Sequence, residues 1–174
     1  MDIALVILRL VVGLLVAGHG AQKLFGWFGG YGLATTSKFL ESIGFRPASA
    51  WALLGAAAEA VGGVLFAVGL FSPLGSIGIG AAMAIAITKV HWPKLWASNG
   101  GLEYPLVNLA VAVAVGIVGP GAYALDRVWG TSLPSVISQP FLGLVALGYL
   151  IGMVSSAATK RASAATRSPD ARAR

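Results

Sequence analysis

The sequence has no cysteine, two histidines and six acidic residues in 174 positions. Without thiols the chain cannot carry a thiolate nucleophile, exchange disulfides or hold a cysteine-ligated zinc or iron–sulfur centre. Its histidines, His19 and His91, form no HExxH or comparable ligand spacing, so no metal site is expected. Charge of either sign is scarce as well: Asp, Glu, Lys and Arg make up 10% of the chain, where a soluble domain carries about 25%. Two further chemistries lack their signatures. No nucleophile elbow supports a Ser–His–Asp hydrolase. The glycine-rich run from Gly26 to Gly32 has no strand before it and no GK[ST] after it, which sets aside a phosphate loop.

What the chain has instead is apolar mass. Hydrophobic residues make up 57%, and 24 glycines recur without a collagen-like period, a composition suited to tightly packed membrane helices. The stretch that organises the rest is Trp51 to Phe71, WALLGAAAEAVGGVLFAVGLF, in which Glu59 is the one ionisable side chain. About 20 apolar residues rising ~1.5 Å each cross a bilayer core, so the stretch reads as a membrane helix. Glu59 then falls near the bilayer midplane, where a bare carboxylate costs about 3 kcal/mol or more. Gly55 and Gly62 share its helical face, which marks that face as the packed interior.

Before this helix, an apolar run from Ile3 to about Ala21 is interrupted by Arg9. Its acidic start and length distinguish it from a cleaved secretory signal. Arg9, Gly13, Val16, Gly20 and Lys23 fall on one face at the 3.6-residue period, with His19 to one side. Residues 22–48 form a polar connection with aromatic anchors Trp27, Phe28 and Tyr31 and a short amphipathic helix expected over Thr35–Ile43, capped by Thr36 or Ser37. A third run, Leu74–Val90, ends in a basic and aromatic belt including His91 and Trp92. A fourth runs from about Pro105 to Ile117 and is broken by GPGAYALDR, and a shorter fifth covers about Pro140–Val154. The expected fold is all-α: a polytopic transmembrane bundle with a four-helix unit over residues 1–130, an additional membrane helix in 131–158 and a disordered basic tail over 159–174.

Basic residues set the expected orientation. With five crossings, Lys23, Lys38, Arg46, Lys89, Lys94, Lys160, Arg161, Arg167, Arg172 and Arg174 share one side and Arg127 lies opposite. The positive-inside rule then places the N-terminus outside and the tail in the cytoplasm. The net charge of +6 is read as this topological signal rather than as a nucleic-acid surface.

The residues that could carry chemistry are Arg9, His19, Lys23, Glu59, His91, Trp92, Glu103 and Tyr104. Glu59 is the candidate for a proton relay or a buried pair, with Arg9 as its first-choice partner across an antiparallel helix pair. Helix ends carrying His19, Lys23, His91, Trp92, Glu103 and Tyr104 could bind a quinone-like ligand, with donors for its carbonyl oxygens and a ring to stack. The same residues could equally anchor helix ends in the headgroup layer. Glu103 also suits a loop–helix junction where it accepts backbone hydrogen bonds. Haem ligation by His19 and His91 is the weaker reading, since it needs both at one depth on facing helices.

Three stretches together resemble the DoxX family of small bacterial membrane proteins: RLVVGLLVAGHGAQKLFGWFGG (Arg9–Gly30), GAAAEAVGGVLFAVGLFSP (Gly55–Pro73), and VHWPKLWASNGGLEYPLVNL followed by GPGAYALD. The resemblance covers about residues 5–127. It implies a four-helix unit in the bacterial plasma membrane and a membrane oxidoreductase subunit, since family members are associated with thiosulfate:quinone oxidoreductase activity or with redox-stress complexes. The leading reading is therefore a subunit of a quinone-linked membrane complex with no flavin, nicotinamide or cysteine centre of its own. It would work with the bilayer and a soluble or membrane redox partner, or as a homo-oligomer. Two alternatives stand beside it: a non-catalytic scaffold recruiting soluble redox enzymes, and a small-solute or proton-coupled transporter using Glu59.

Overall fold

A computed structural model describes residues 1–131 and 133–167, and its regular structure is helical. Helix α1 spans Asp2–Phe25, with Asp2 in its first turn and Lys23 in its last, both favourable to the helix dipole. It stops at Gly26, whose left-handed φ of 75° a side chain would resist. A 3-10 turn, Trp27–Gly29, leads to α2, Gly32–Ser42. Helix α3, Ala48–Val68, starts after Pro47 and ends at Gly69. Helix α4, Leu74–Ile85, continues as a π-helical turn over Ala86–His91. After the turn Ala97–Asn99, α5 spans Glu103–Val118, with Pro105 in the first turn, where its missing N–H costs nothing. The short α6, Leu125–Trp129, and the long α7, Ser135–Arg167, complete the chain.

Helices α1 and α3 run antiparallel with their backbones in close approach. A Cβ on Gly13 would meet the Gly63 carbonyl at 2.6 Å, one on Gly63 would meet Ala17 N at 2.5 Å, and Gly20 lies against Ala60. Small residues on both faces allow this approach, and dispersion between the backbones holds it. On its other flank α3 packs on α4 through Gly62, Gly75 and Gly78. Val12, Val16, Phe66, Ile79, Met83, Ala112 and Val115 fill the middle of the resulting four-helix unit. The outward residues are apolar too, among them Leu14, Val61 and Ile117, as lipid contact requires. Among the described residues, three helices are long and apolar enough to cross a membrane: Asp2–Phe25, Ala48–Val68 and Leu74–His91.

The bundle has two distinct ends. The amino-terminal end gathers Met1, the α3–α4 turn and the α5–α6 connection. The opposite, basic end carries the α1–α3 connection and the α4–α5 loop, with Lys23, Lys38, Arg46, Lys89 and Lys94. Helix α7 reaches the basic end: the Tyr149 hydroxyl donates to Thr88 Oγ1 at 3.3 Å, the Ser156 hydroxyl donates to Ile43 O at 3.0 Å, and Gly152 lies against Phe45 and Trp51.

Several boundaries differ from the sequence expectation. Helix α1 runs beyond Ala21 to Phe25. The amphipathic helix begins at Gly32 rather than Thr35, without a side-chain cap. Thr36 instead donates back to Gly32 O at 2.9 Å, as a hydroxyl inside a helix commonly does. The third run is α-helical only to Ile85; there the ladder widens, and Thr88 donates to Ala84 O at 2.7 Å. The fifth helix starts at Ser135 and contains Pro140. The tail expected to be irregular from residue 159 is helical as far as Arg167, where Ala-rich sequence favours helix despite its lack of an apolar stripe. The rest of that tail, 168–174, lies outside the described residues.

Candidate functional site

Glu59 is buried, 3% exposed, on the α3 face that meets α1 and α4. The last turn of α1 brings Lys23 to it, with Nζ 2.5 Å from Glu59 Oε1. Lys23 keeps 39% of its side chain exposed: the aliphatic stem lies along the bundle while the ammonium reaches inward from the basic end. Its hydrogen bond satisfies one carboxylate oxygen. Glu59 Oε2 is buried without a hydrogen-bond partner.

The expected Arg9–Glu59 pair is not formed. Arg9 lies against Gly69, ten residues along α3 from Glu59, roughly 15 Å at the helical rise. The sequence estimate assumed that the two apolar runs face each other symmetrically. Because α1 extends to Phe25 and α3 starts as early as Ala48, the antiparallel register shifts and places Lys23, not Arg9, at Glu59.

On the α5 side of Glu59 stand Tyr104 and Asn108, one turn apart. The Tyr104 phenol is within electrostatic reach of Glu59. The His19 ring meets Tyr104 edge-on, with centroids 5.1 Å apart. Asn108 is 3% exposed, and its Nδ2 has no hydrogen-bond partner. Sequence reasoning missed Asn108; its signal was an amide alone in the apolar remainder of α5, four residues after Tyr104. On the α2 and α4 side, the Lys23–Glu59 pair forms one wall of a cavity of about 110 Å³, otherwise lined by residues such as Phe39, Phe45, Trp51, Gly55 and Ile85. A buried acid with one free oxygen and an ammonium thus stand at an apolar cavity, with the Tyr104 phenol within electrostatic reach of the acid.

The remaining candidates lie elsewhere. His91 Nδ1 sits 2.8 Å from Gly100 O in the α4–α5 loop, and Trp92 is exposed on the same loop. Glu103 accepts the Ala97 amide at 2.9 Å, so it ties that loop to the start of α5. Of the eight candidates, then, Lys23, Glu59, His19 and Tyr104 are brought together; Arg9, His91, Trp92 and Glu103 are not part of that cluster. His19 and His91 are engaged separately, one with Tyr104 and one with the loop. Among the described residues no group of His, Asp or Glu is arranged to hold a metal ion.

Arg9 belongs to a second polar cluster at the amino-terminal end. Its Nη2 donates to Tyr123 O at 3.2 Å. Nearby Asp126, also buried and also missed, accepts the Phe71 and Ser72 amides at 2.8 and 2.7 Å and the Thr131 hydroxyl at 3.0 Å. It thereby fastens α6 to the α3–α4 turn. Its one sequence signal was position: an acid at the end of an otherwise uncharged GPGAYAL stretch.

Compared with known proteins, residues 4–92 match the family model described as DoxX. The match takes in α1 through the π-helical turn, including Arg9, His19, Lys23 and Glu59; Tyr104, Asn108 and Asp126 lie beyond it. No curated protein and no solved structure matches the chain.

Proposed function

The chain belongs to the DoxX family of helical membrane proteins, and from that premise we propose that it is the membrane-embedded subunit of a quinone-linked redox complex in the bacterial plasma membrane. The observation that carries this reading is the Lys23–Glu59 pair, with one unpartnered carboxylate oxygen, set into the wall of an apolar cavity. These residues fit a quinone: aromatic and aliphatic walls suit its ring and tail, and the Lys23 ammonium suits a carbonyl oxygen. A bound quinone would supply the two-electron, two-proton couple that this chain's own side chains lack.

The protein's contribution is binding, orientation and proton handling. Lys23 would donate a hydrogen bond to a carbonyl oxygen of the bound quinone. Glu59 Oε2, free of a hydrogen bond, is the acceptor at which a proton can be held beside the cavity. Tyr104 lies on the α5 side of Glu59, and Thr36, Phe39 and Leu40 of α2 form one side of the cavity. In this reading the bundle crosses the bilayer five times with α7 as the last crossing, its N-terminus outside and its tail in the cytoplasm, and electrons come from a soluble or membrane partner.

The reading is tested by quinone retention and binding in the purified protein, comparing wild type with Glu59→Gln and Lys23→Met after each is shown to be folded. Wild type retains quinone and both variants bind it at least about tenfold more weakly, the loss of one charge-assisted hydrogen bond. Absence of binding in wild type, or unchanged binding in both variants, removes the quinone site and leaves a scaffold role ahead.

A further inference from the structure

The second polar cluster carries an inference of its own, independent of the Glu59 site. Arg9 is 2% exposed, and two of its three guanidinium nitrogens, Nε and Nη1, are buried without hydrogen-bond partners. A buried guanidinium cannot shed its proton to relieve this, so its unsatisfied donors call for an acceptor. The nearby acid does not supply one. Asp126 is already held by two backbone amides and the Thr131 hydroxyl, and among the described residues the ion pairs are Lys23–Glu59 and Arg46–Glu41.

Arg9 lines a cavity of about 160 Å³ whose other walls include Ser72, Ser76, Gly116 and Pro120. The start of α4 forms one side of it. Pro73 stands at that helix's N-cap, with no side-chain hydrogen bond closing it. The first intrahelical amide bond runs from Ile77 N to Pro73 O at 3.0 Å, which leaves the Gly75 and Ser76 amides among the donors that a helix start does not satisfy itself. An uncapped helix start, two serine hydroxyls and an unpartnered buried guanidinium therefore border one cavity. All of these groups donate hydrogen bonds, and the helix dipole adds to the arginine's positive charge.

We infer that this cavity is a binding site for a small oxyanion, with Arg9 as the cationic donor and Ser72, Ser76 and the first turn of α4 completing the shell. The site lies at the amino-terminal end of the bundle, across the apolar core from Glu59. Its oxyanion is either a free ion or the phosphate of a lipid headgroup, since both present the same oxygens. Asp126 and Asp2, which accepts the Ala122 amide at 2.9 Å, stand on the same end, and each already takes up backbone donors.

The test is a titration of delipidated, detergent-solubilised full-length protein with inorganic phosphate at constant ionic strength, with chloride as the balancing ion. Saturable binding is expected in wild type and a loss of about tenfold or more in Arg9→Lys, which cannot reproduce the guanidinium's fork of donors. Ser76→Ala, a substitution too small to unfold the bundle, weakens binding by a smaller factor. Added phosphatidylglycerol identifies the source: competition with phosphate assigns the site to a lipid headgroup, and lack of competition assigns it to a free ion. No saturable phosphate binding to folded wild type, or binding unchanged in both variants, overturns the site.

Discussion

Gly13 and Gly63 face each other across the α1–α3 interface so closely that a methyl group added to either would lie 2.6 Å from the other's carbonyl oxygen. Backbone, not a flexible side chain, occupies the space, so the neighbour has no rotamer by which to yield. Gly63→Ala is expected to destabilise the protein by about 1–3 kcal/mol through overpacking, read as a lowered Tm in detergent. Gly55, four residues before Glu59, has open space where its Cβ would be; Gly55→Ala is expected to be neutral or stabilising by about 0.5–1 kcal/mol. Equal losses at the two positions would show that α1 and α3 are not in this register.

Breaking the Lys23–Glu59 pair is expected to be asymmetric. Lys23→Leu strands a buried carboxylate and costs about 3 kcal/mol, whereas Glu59→Leu leaves an ammonium that can turn to water and costs less. The double variant recovers part of the Lys23→Leu loss. A thermal-unfolding cycle over the four proteins measures this, and a parallel cycle on Arg9 and Glu59 should be additive, since the two lie roughly 15 Å apart along the bundle.

Asp126→Ala removes the acceptor for the Phe71 and Ser72 amides and for Thr131. It should cost about 2–3 kcal/mol and expose the α3–α4 turn to proteolysis before the rest of the bundle. Thr131→Val, which deletes one of those three donors, should cost about 1 kcal/mol. Matching effects of the two substitutions would mean that Asp126 does not anchor the turn.

Reporter fusions placed after Gly130 and after Arg174 are expected to fall on opposite sides of the membrane, with the tail in the cytoplasm. The division of basic residues between the two sides motivates this, as does the docking of α7 residues Tyr149 and Ser156 at the basic end. Reporters on one side would show that α7 does not cross.

Much of this arrangement was legible in the residues. The face of α1 carrying Arg9, Gly13, Val16 and Gly20 is the face the fold buries, because a 3.6-residue period is a local property of the chain. That Glu59 is buried and needs a basic or polar partner also follows from the cost of a bare carboxylate in an apolar helix. Which cation it meets does not, because register between helices depends on where each helix ends, and hydropathy marks those ends poorly where Gln22, Lys23 and Gly26 belong to the same segment. Asn108 and Asp126 were passed over for a related reason: neither sits in a spaced motif, and only the third dimension shows what each touches.

The apolar middle of the bundle has a consequence for what each end can sense. Val12, Val16, Phe66, Ile79, Met83, Ala112 and Val115 separate the Glu59 cluster from the Arg9 cluster and offer no side-chain donor or acceptor along the way. A proton cannot hop through such a layer, and an ion entering it would lose its hydration without replacement. Each polar end is therefore insulated from the other: Lys23 and Glu59 belong with the end that carries α2 and the basic loops, Arg9 and Asp126 belong with the opposite end, and the apolar side chains between them carry no relay from one to the other.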